Sequence, residues 1–199
     1  MICKFLGIQD YSEVLVAMQQ FTKNRNESTI DELWFLEHYP VFTQGYAGKD
    51  EHILEDIKFI RTDRGGQITY HGPGQLIVYL LLNLNKQAIN LKKLIYILSN
   101  SIIELLSKYN IISSTMDNAP GVYINNKKIC SIGLKIYRNC TYHGLSLNID
   151  MDLKPFNKIN PCGNPNLTMT QLSDFVKNIN IKSVSVLLSE ILVNKLNEK

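Results

Sequence analysis

The feature that most limits how this chain can fold is an uninterrupted apolar run, Leu76 to Leu82, entered directly from a glycine-rich stretch, Arg64 to Gln75. A strand with one wet face alternates apolar and polar residues, whereas a continuous run suits a strand covered on both faces. The run is therefore read as a central strand, continuing towards Leu84, with other elements packed on each side. It is far shorter than the ~20 residues a membrane-spanning helix needs.

The rest of the chain supplies that cover. Asp10 and Glu13 resemble a capping box, and Val14, Leu15, Met18 and Phe21 follow at helical spacing, so a first helix is expected to about Lys23. Asp31 to Phe42, broken by Pro40, and Ile57 to Arg61 read as strands. Asn90 can cap a long helix striped by Leu91, Leu94, Ile95, Leu98, Ile102 and Leu105, ending near Asn110. Val122–Ile124, an Asn125-Asn126 tip and a strand from Lys127 or Lys128 to Ile136 make a hairpin. Tyr142 to Ile149 is a further strand, and Ser183 is expected to cap a last helix. Strands and helices are interspersed without regular βαβ alternation. That predicts the α+β class, a mixed central sheet flanked by helices, as one domain over residues 1–199.

Composition narrows the function classes. A hydrophobic share of 45% with 20% charged residues is enough for a full core and unlike a disordered chain. The net charge of +3 comes from scattered Lys and Arg rather than a stripe, which argues against a nucleic-acid face. The first residues lack the basic start, apolar stretch and cleavage site of a signal peptide. Cys3, Cys130, Cys140 and Cys162 are too few and too scattered for a disulfide scaffold. A cytoplasmic protein with free thiols and no membrane attachment is expected. Cys140-x-x-His143 has ligand-like spacing, but no second pair completes a tetrahedral site, so no metal is expected.

Three places could carry chemistry. Arg64 to Gln75 holds four glycines and one proline in twelve residues, backbone that bends sharply or lets something approach closely. Composition alone leaves it open between a structural turn and a ligand-cradling loop. Cys162 lies in an irregular Pro161-Cys162-Gly163-Asn164-Pro165 turn, where it is either a small packed residue or an exposed nucleophile. Lys128 is either a solvated hairpin charge or a catalytic group, and Lys127 beside it should point to the opposite face.

The order of residues resembles one family. Arg64-Gly65-Gly66-Gln67-Ile68-Thr69-Tyr70-His71-Gly72-Pro73-Gly74-Gln75 is similar to the signature of the lipoate-biosynthesis octanoyltransferases, within the biotin and lipoate protein ligase superfamily. Glu37-His38 with Val41-Phe42-Thr43, Ala119 to Tyr123, Lys128 to Gly133, His143 to Asn148 and Pro161-Cys162-Gly163 fit in the same order. The resemblance implies transfer of an octanoyl group from octanoyl-acyl carrier protein to a lysine of lipoyl domains, in 2-oxoacid dehydrogenases or the glycine cleavage H protein. The likeness makes Cys162 the acyl-thioester nucleophile and Lys128, 34 residues earlier, the group that lowers its pKa and serves as general acid and base. A thiol left alone titrates near 8.5 and gains from a neighbouring ammonium, and a buried lysine with a lowered pKa suits the dual role.

The same resemblance places the acyl pocket at Arg64, Gly65, Gly66, Gln67, Ile68, Thr69, Tyr70 and His71, at Ser131, Ile132 and Gly133, and at Gly144, Leu145 and Ser146. Glycine N–H groups of these blocks would form an oxyanion hole. His71 and His143 are expected to hold the cleft wall by hydrogen bonds. No cofactor is implied, and a monomer is the plainer expectation. The alternatives are an ATP-dependent lipoate–protein ligase, a non-catalytic binding module for acyl carrier or lipoyl domains, and a hydrolase using Cys162 with His143.

Overall fold

The computed structural model describes residues 1–117 and 119–198. The chain opens with strand β1 (Ile2–Gln9), helix α1 (Tyr11–Lys23) and strands β2 (Glu32–His38) and β3 (Val41–Gln44). Strands β4 (Phe59–Arg61), β5 (Ile68–His71) and β6 (Gln75–Leu81) follow, then a one-turn helix α2 (Leu84–Gln87) and the long α3 (Leu91–Ser107). Strands β7 (Ser114–Met116), β8 (Ala119–Ile124), β9 (Lys127–Tyr137) and β10 (Cys140–Asn148) lead through short 3-10 turns to a final helix, α4 (Ile181–Asn197).

Seven strands form one sheet in the order β1-β2-β6-β10-β9-β8-β7, and β4-β3-β5 form a second, smaller one. Only β1 with β2 and β3 with β4 run parallel, so both sheets are mixed. This is the α+β arrangement expected. Among the described residues no helix is long and apolar enough to cross a membrane.

The apolar run explains itself in β6. Leu76, Val78, Leu80 and Leu82 pack with Leu94, Leu98, Ile102 and Leu105 of α3 and with Leu188 and Leu192 of α4. Ile77, Tyr79 and Leu81 point the other way, towards Val14 and Met18 of α1. Every residue of β6 is buried because both faces of its sheet are covered. Truncating one such leucine to alanine costs about 2–5 kcal/mol.

Several local signals act as read. Asp10 Oδ1 accepts the Ser12 and Glu13 N–H groups at 2.8 and 3.1 Å, and Asn90 Oδ1 accepts that of Lys93 at 2.9 Å. Asn125 and Asn126 take φ of 49° and 64°, the left-handed pair a two-residue hairpin turn requires. Ser183 is not the cap of α4. The helix starts earlier, at Asn180, whose side chain accepts the Lys182 N–H at 2.8 Å, and the Ser183 hydroxyl donates to Asn180 O at 2.7 Å. Strand β1 was not foreseen. It lies at the sheet edge with Phe5 52% exposed, so it lacks the buried alternation that marks a strand in sequence.

Candidate active site

One cavity of about 590 Å³ lies against the large sheet, lined by Ile77, Tyr79, Ser131, Gly133, Gly144 and Ser146, by the Arg64–Thr69 segment and by Leu91 and Ile95 of α3. Lys128 and Cys162 both line it. Every residue expected in its wall is there except Tyr70. Side chains alternate along β5, and the Tyr70 ring turns away to pack on Phe42 and Phe156 at centroid distances of 5.1 and 5.7 Å.

Lys128 reaches the cavity through a β-bulge. Val122 pairs with Cys130, but the next residue, Tyr123, pairs with Lys128, leaving Ile129 as the extra residue. Ile129 and Cys130 are therefore both in the core, and Lys128 swings to the cavity with 1% of its surface exposed. Bulges re-aim a side chain in this way at the cost of local ladder bonds. The lost ladder is replaced by chain from beyond Cys162: Lys128 N–H donates to Thr168 O at 2.9 Å, and Thr170 N–H to Lys128 O at 3.0 Å. Lys127 is exposed, on the opposite face as expected.

Cys162 sits at the tip of the Pro161–Gly163 turn in a left-handed conformation, φ 56° and ψ 18°. Such a conformation costs a non-glycine residue about 1–2 kcal/mol and persists only where neighbours hold it. Gly163, at φ +75°, is one of those neighbours; a Cβ there would come within 2.4 Å of the Gln67 amide nitrogen. The turn leaves Cys162 exposed, while Lys128 Nζ approaches Sγ to 3.1 Å from below. Burial alone would lower the Lys128 pKa. The negative charge of Cys162, with a smaller contribution from Tyr123, outweighs burial and raises it. The lowered value expected for Lys128 is thus not the direction in the free site, where Cys162 and Tyr123 together raise it.

The remaining polar groups build the frame. Arg64 is buried and spends its guanidinium on the chain: Nη2 donates to Thr43 O at 2.6 Å and Gln67 O at 2.8 Å, and Nη1 to Gly65 O at 3.0 Å. It shapes the wall rather than offering a charge to a ligand. Gly65 N–H donates to Leu134 O at 2.9 Å, so it is not an oxyanion donor. His71 Nδ1 meets Gln75 Oε1 at 2.7 Å, Gln75 Nε2 donates to Asn148 Oδ1 at 2.9 Å, and Asn148 Nδ2 to Thr170 O at 2.9 Å. Through Thr170 this chain of bonds ties the glycine-rich block to the Lys128 backbone.

His143 Nε2 donates to Asp63 Oδ1 at 3.0 Å, and the Tyr142 hydroxyl bonds the other Asp63 oxygen. The His143 bond chiefly holds Asp63 down, to about 2. Burial pushes His143 down as well, and takes His38 to about 4 and His71 to about 3, so all three rings are neutral at pH 7. The partners of His143 are Asp63, Tyr142 and Thr62, not Cys162. Among the described residues no group of three or more His, Cys, Asp or Glu side chains could hold a metal ion.

Sequence reasoning did not foresee Tyr11, Tyr79 and Tyr123 in the cavity wall, nor Asn164 and Leu167 at its rim. Tyr79 was read only as part of the apolar Leu76–Leu82 run. Tyr123 was visible only as part of the Ala119–Tyr123 block.

The same fold occurs in solved ligases. Lipoate-protein ligase A bound with ATP superposes with a TM-score of 0.81 at 14% identity, covering 98% of this chain and 84% of that one. The biotin protein ligase from Aquifex aeolicus gives 0.60 at 16% identity, covering 100% and 70%. These define the fold class. In sequence, the lipoyl protein ligase A/B catalytic domain matches residues 10–192, and the chain belongs to that family. Relatives at higher identity are octanoyltransferases. One from Aliivibrio fischeri is 53% identical over 179 residues, 89% of this chain and 80% of its own length. Another, from Legionella pneumophila (strain Paris), is 49% identical over 187 residues, 93% and 94% of the two chains.

Proposed function

We propose that this enzyme is an octanoyltransferase of protein lipoylation, taking the octanoyl group from octanoyl-acyl carrier protein and delivering it to a lysine of a lipoyl domain. The observation that carries the reading is the 3.1 Å contact between buried Lys128 Nζ and exposed Cys162 Sγ at the mouth of the cavity. An acyl group on Cys162 has a largely apolar space of about 590 Å³ beside it. At ~0.8 kcal/mol per buried methylene, an eight-carbon chain gains roughly 5 kcal/mol there.

The Cys162 thiolate, charge-balanced by Lys128, attacks the carbonyl carbon of the donor thioester. As the tetrahedral intermediate collapses, the carrier sulfur leaves and takes a proton from the Lys128 ammonium. Cys162 is now a neutral thioester, so the charge that held Lys128 protonated is gone and burial keeps its amine neutral. A neutral amine of the acceptor lysine then attacks the thioester, Lys128 removes the proton from the attacking nitrogen, and the thiolate departs. The amide is released and the thiolate–ammonium pair is restored. The scheme needs neither nucleotide nor metal, because the donor thioester is already activated, and one chain holds every group it uses. Acceptors are lipoyl domains of 2-oxoacid dehydrogenases and the glycine cleavage H protein, in the cytoplasm.

The test is to supply octanoyl-acyl carrier protein and a lipoyl domain without nucleotide. The acceptor should gain one octanoyl group. Modification only with free octanoate and ATP would make the chain a ligase instead.

A further inference from the structure

The Ala119–Tyr123 block has no part in the scheme above, yet its last residue touches the catalytic lysine. Tyr123 is 2% exposed and lies opposite Lys128 at the bulge, the one place where β8 and β9 change register. Its ring centroid is 5.3 Å from Lys128 Nζ, and its hydroxyl donates to Ala119 O at 3.0 Å, which fixes the plane of the ring. The ammonium therefore has two supports: the sulfur of Cys162 and the face of Tyr123. Gly121 completes the arrangement. A Cβ there would meet Lys128 Cε at 2.5 Å, so the strand carrying Tyr123 also leaves the channel for the lysine stem.

We infer, resting on the acyl-cysteine scheme above, that Tyr123 is a positioning residue whose ring face holds Lys128 and sets its proton affinity while Cys162 is acylated. The physical reason is that the two supports behave differently through the cycle. Acylation replaces a sulfur anion with a neutral thioester and removes the first support completely. The ring quadrupole is unchanged, and a desolvated cation over a tyrosine face remains attracted to it. Tyr123 is then the partner that keeps Nζ aimed at the attacking nitrogen and favours the ammonium that forms when Lys128 takes that proton. An aliphatic residue of similar size would fill the space without doing either.

The experiment isolates the second half-reaction. Octanoyl-enzyme is formed first, then mixed with lipoyl domain, and the single-turnover rate is followed against pH. Tyr123→Leu should shift the rising limb of that profile down by about one pH unit, because the ammonium loses its remaining support. Tyr123→Phe, which keeps the ring, should leave the limb within a few tenths of a unit of wild type. A Tyr123→Leu profile that superposes on wild type overturns the inference, as does a Tyr123→Phe shift equal to that of Tyr123→Leu. Should Tyr123→Leu not fold, Tyr123→Phe is compared with a ring-fluorinated phenylalanine at the same position, which keeps the shape and removes the negative face. A downward shift growing with fluorination supports the ring contact, and no shift overturns it. If wild type forms no octanoyl-enzyme at all, it is the acyl-cysteine scheme that has failed and not the role of Tyr123.

Discussion

Two nitrogen bases stand on the wall of the same cavity, and their surroundings are opposite in kind. His143 is enclosed by a strand and a loop: its Nε2 donates to Asp63, the Tyr142 ring stacks on it at 5.0 Å, and burial keeps it neutral. Lys128 is buried as deeply, yet its partner Cys162 is exposed, and the sulfur 3.1 Å away, with Tyr123, raises the lysine pKa against the effect of burial. The difference teaches where chemistry can occur. A pair whose partners are both locked into the fold fixes geometry. Under the proposed scheme, acylation of Cys162 changes the charge on Lys128, and that change is what a two-step transfer requires.

The comparison breaks most visibly if the roles are tested by removal. Lys128→Met should lower transfer by about 10²–10⁴-fold, the range of general acid–base catalysis. Asp63→Asn, measured in the same assay, should cost less than about tenfold, because it loosens a wall rather than removing a proton carrier. Equal losses would mean His143 takes part in the chemistry.

A second test acts on the turn that separates the two kinds of pair. Gly163→Ala places a Cβ against the Gln67 amide at a positive φ. It should reduce transfer about 10–100-fold while leaving the melting temperature within a few degrees, since a ~1 Å displacement of a reacting group is costly to rate and cheap to a core elsewhere.

The smallest effect is on stability. His38 and His71 have pKa values pressed well below the unfolded value near 6.5, to about 4 and about 3, mainly by burial. Between those limits the unfolded chain binds protons the native one does not, so stability is fully present above about pH 6.5 and is lost as pH falls towards 4. A fall of roughly 12–25 °C in melting temperature between pH 7 and 4 is expected, and a shallower slope for His38→Gln. Asp63 works lower: held at about 2 by His143, it contributes stability above its unfolded value near 3.9 that is lost as pH falls through 2.

Much of this was legible in the sequence because the signals were local or strongly periodic. The double-faced burial of β6, the Asn125-Asn126 turn and the Asn90 cap each depend on a few adjacent residues. Strand β1 was not legible, since an edge strand half open to water carries no clean alternation. Nor was the choice of Asn180 over Ser183, because either residue type can cap a helix. The side on which Tyr70 falls follows from how β5 sits over the cavity, which no window of sequence contains. Most instructive is Lys128. Simple alternation from Ser131 and Gly133 would turn it towards the core, and only the bulge at Ile129, set by pairing with β8, returns it to the cavity. Resemblance pointed to the residue; the register shift is the physical reason it arrives.

The measurement that bears most directly on the central claim is the intact mass of the enzyme after incubation with octanoyl-acyl carrier protein, without nucleotide and without acceptor. A single octanoyl adduct, labile to hydroxylamine and missing in Cys162→Ser, is the predicted result. An unmodified wild-type chain that still octanoylates a lipoyl domain under the same conditions would contradict it, because transfer would then bypass Cys162.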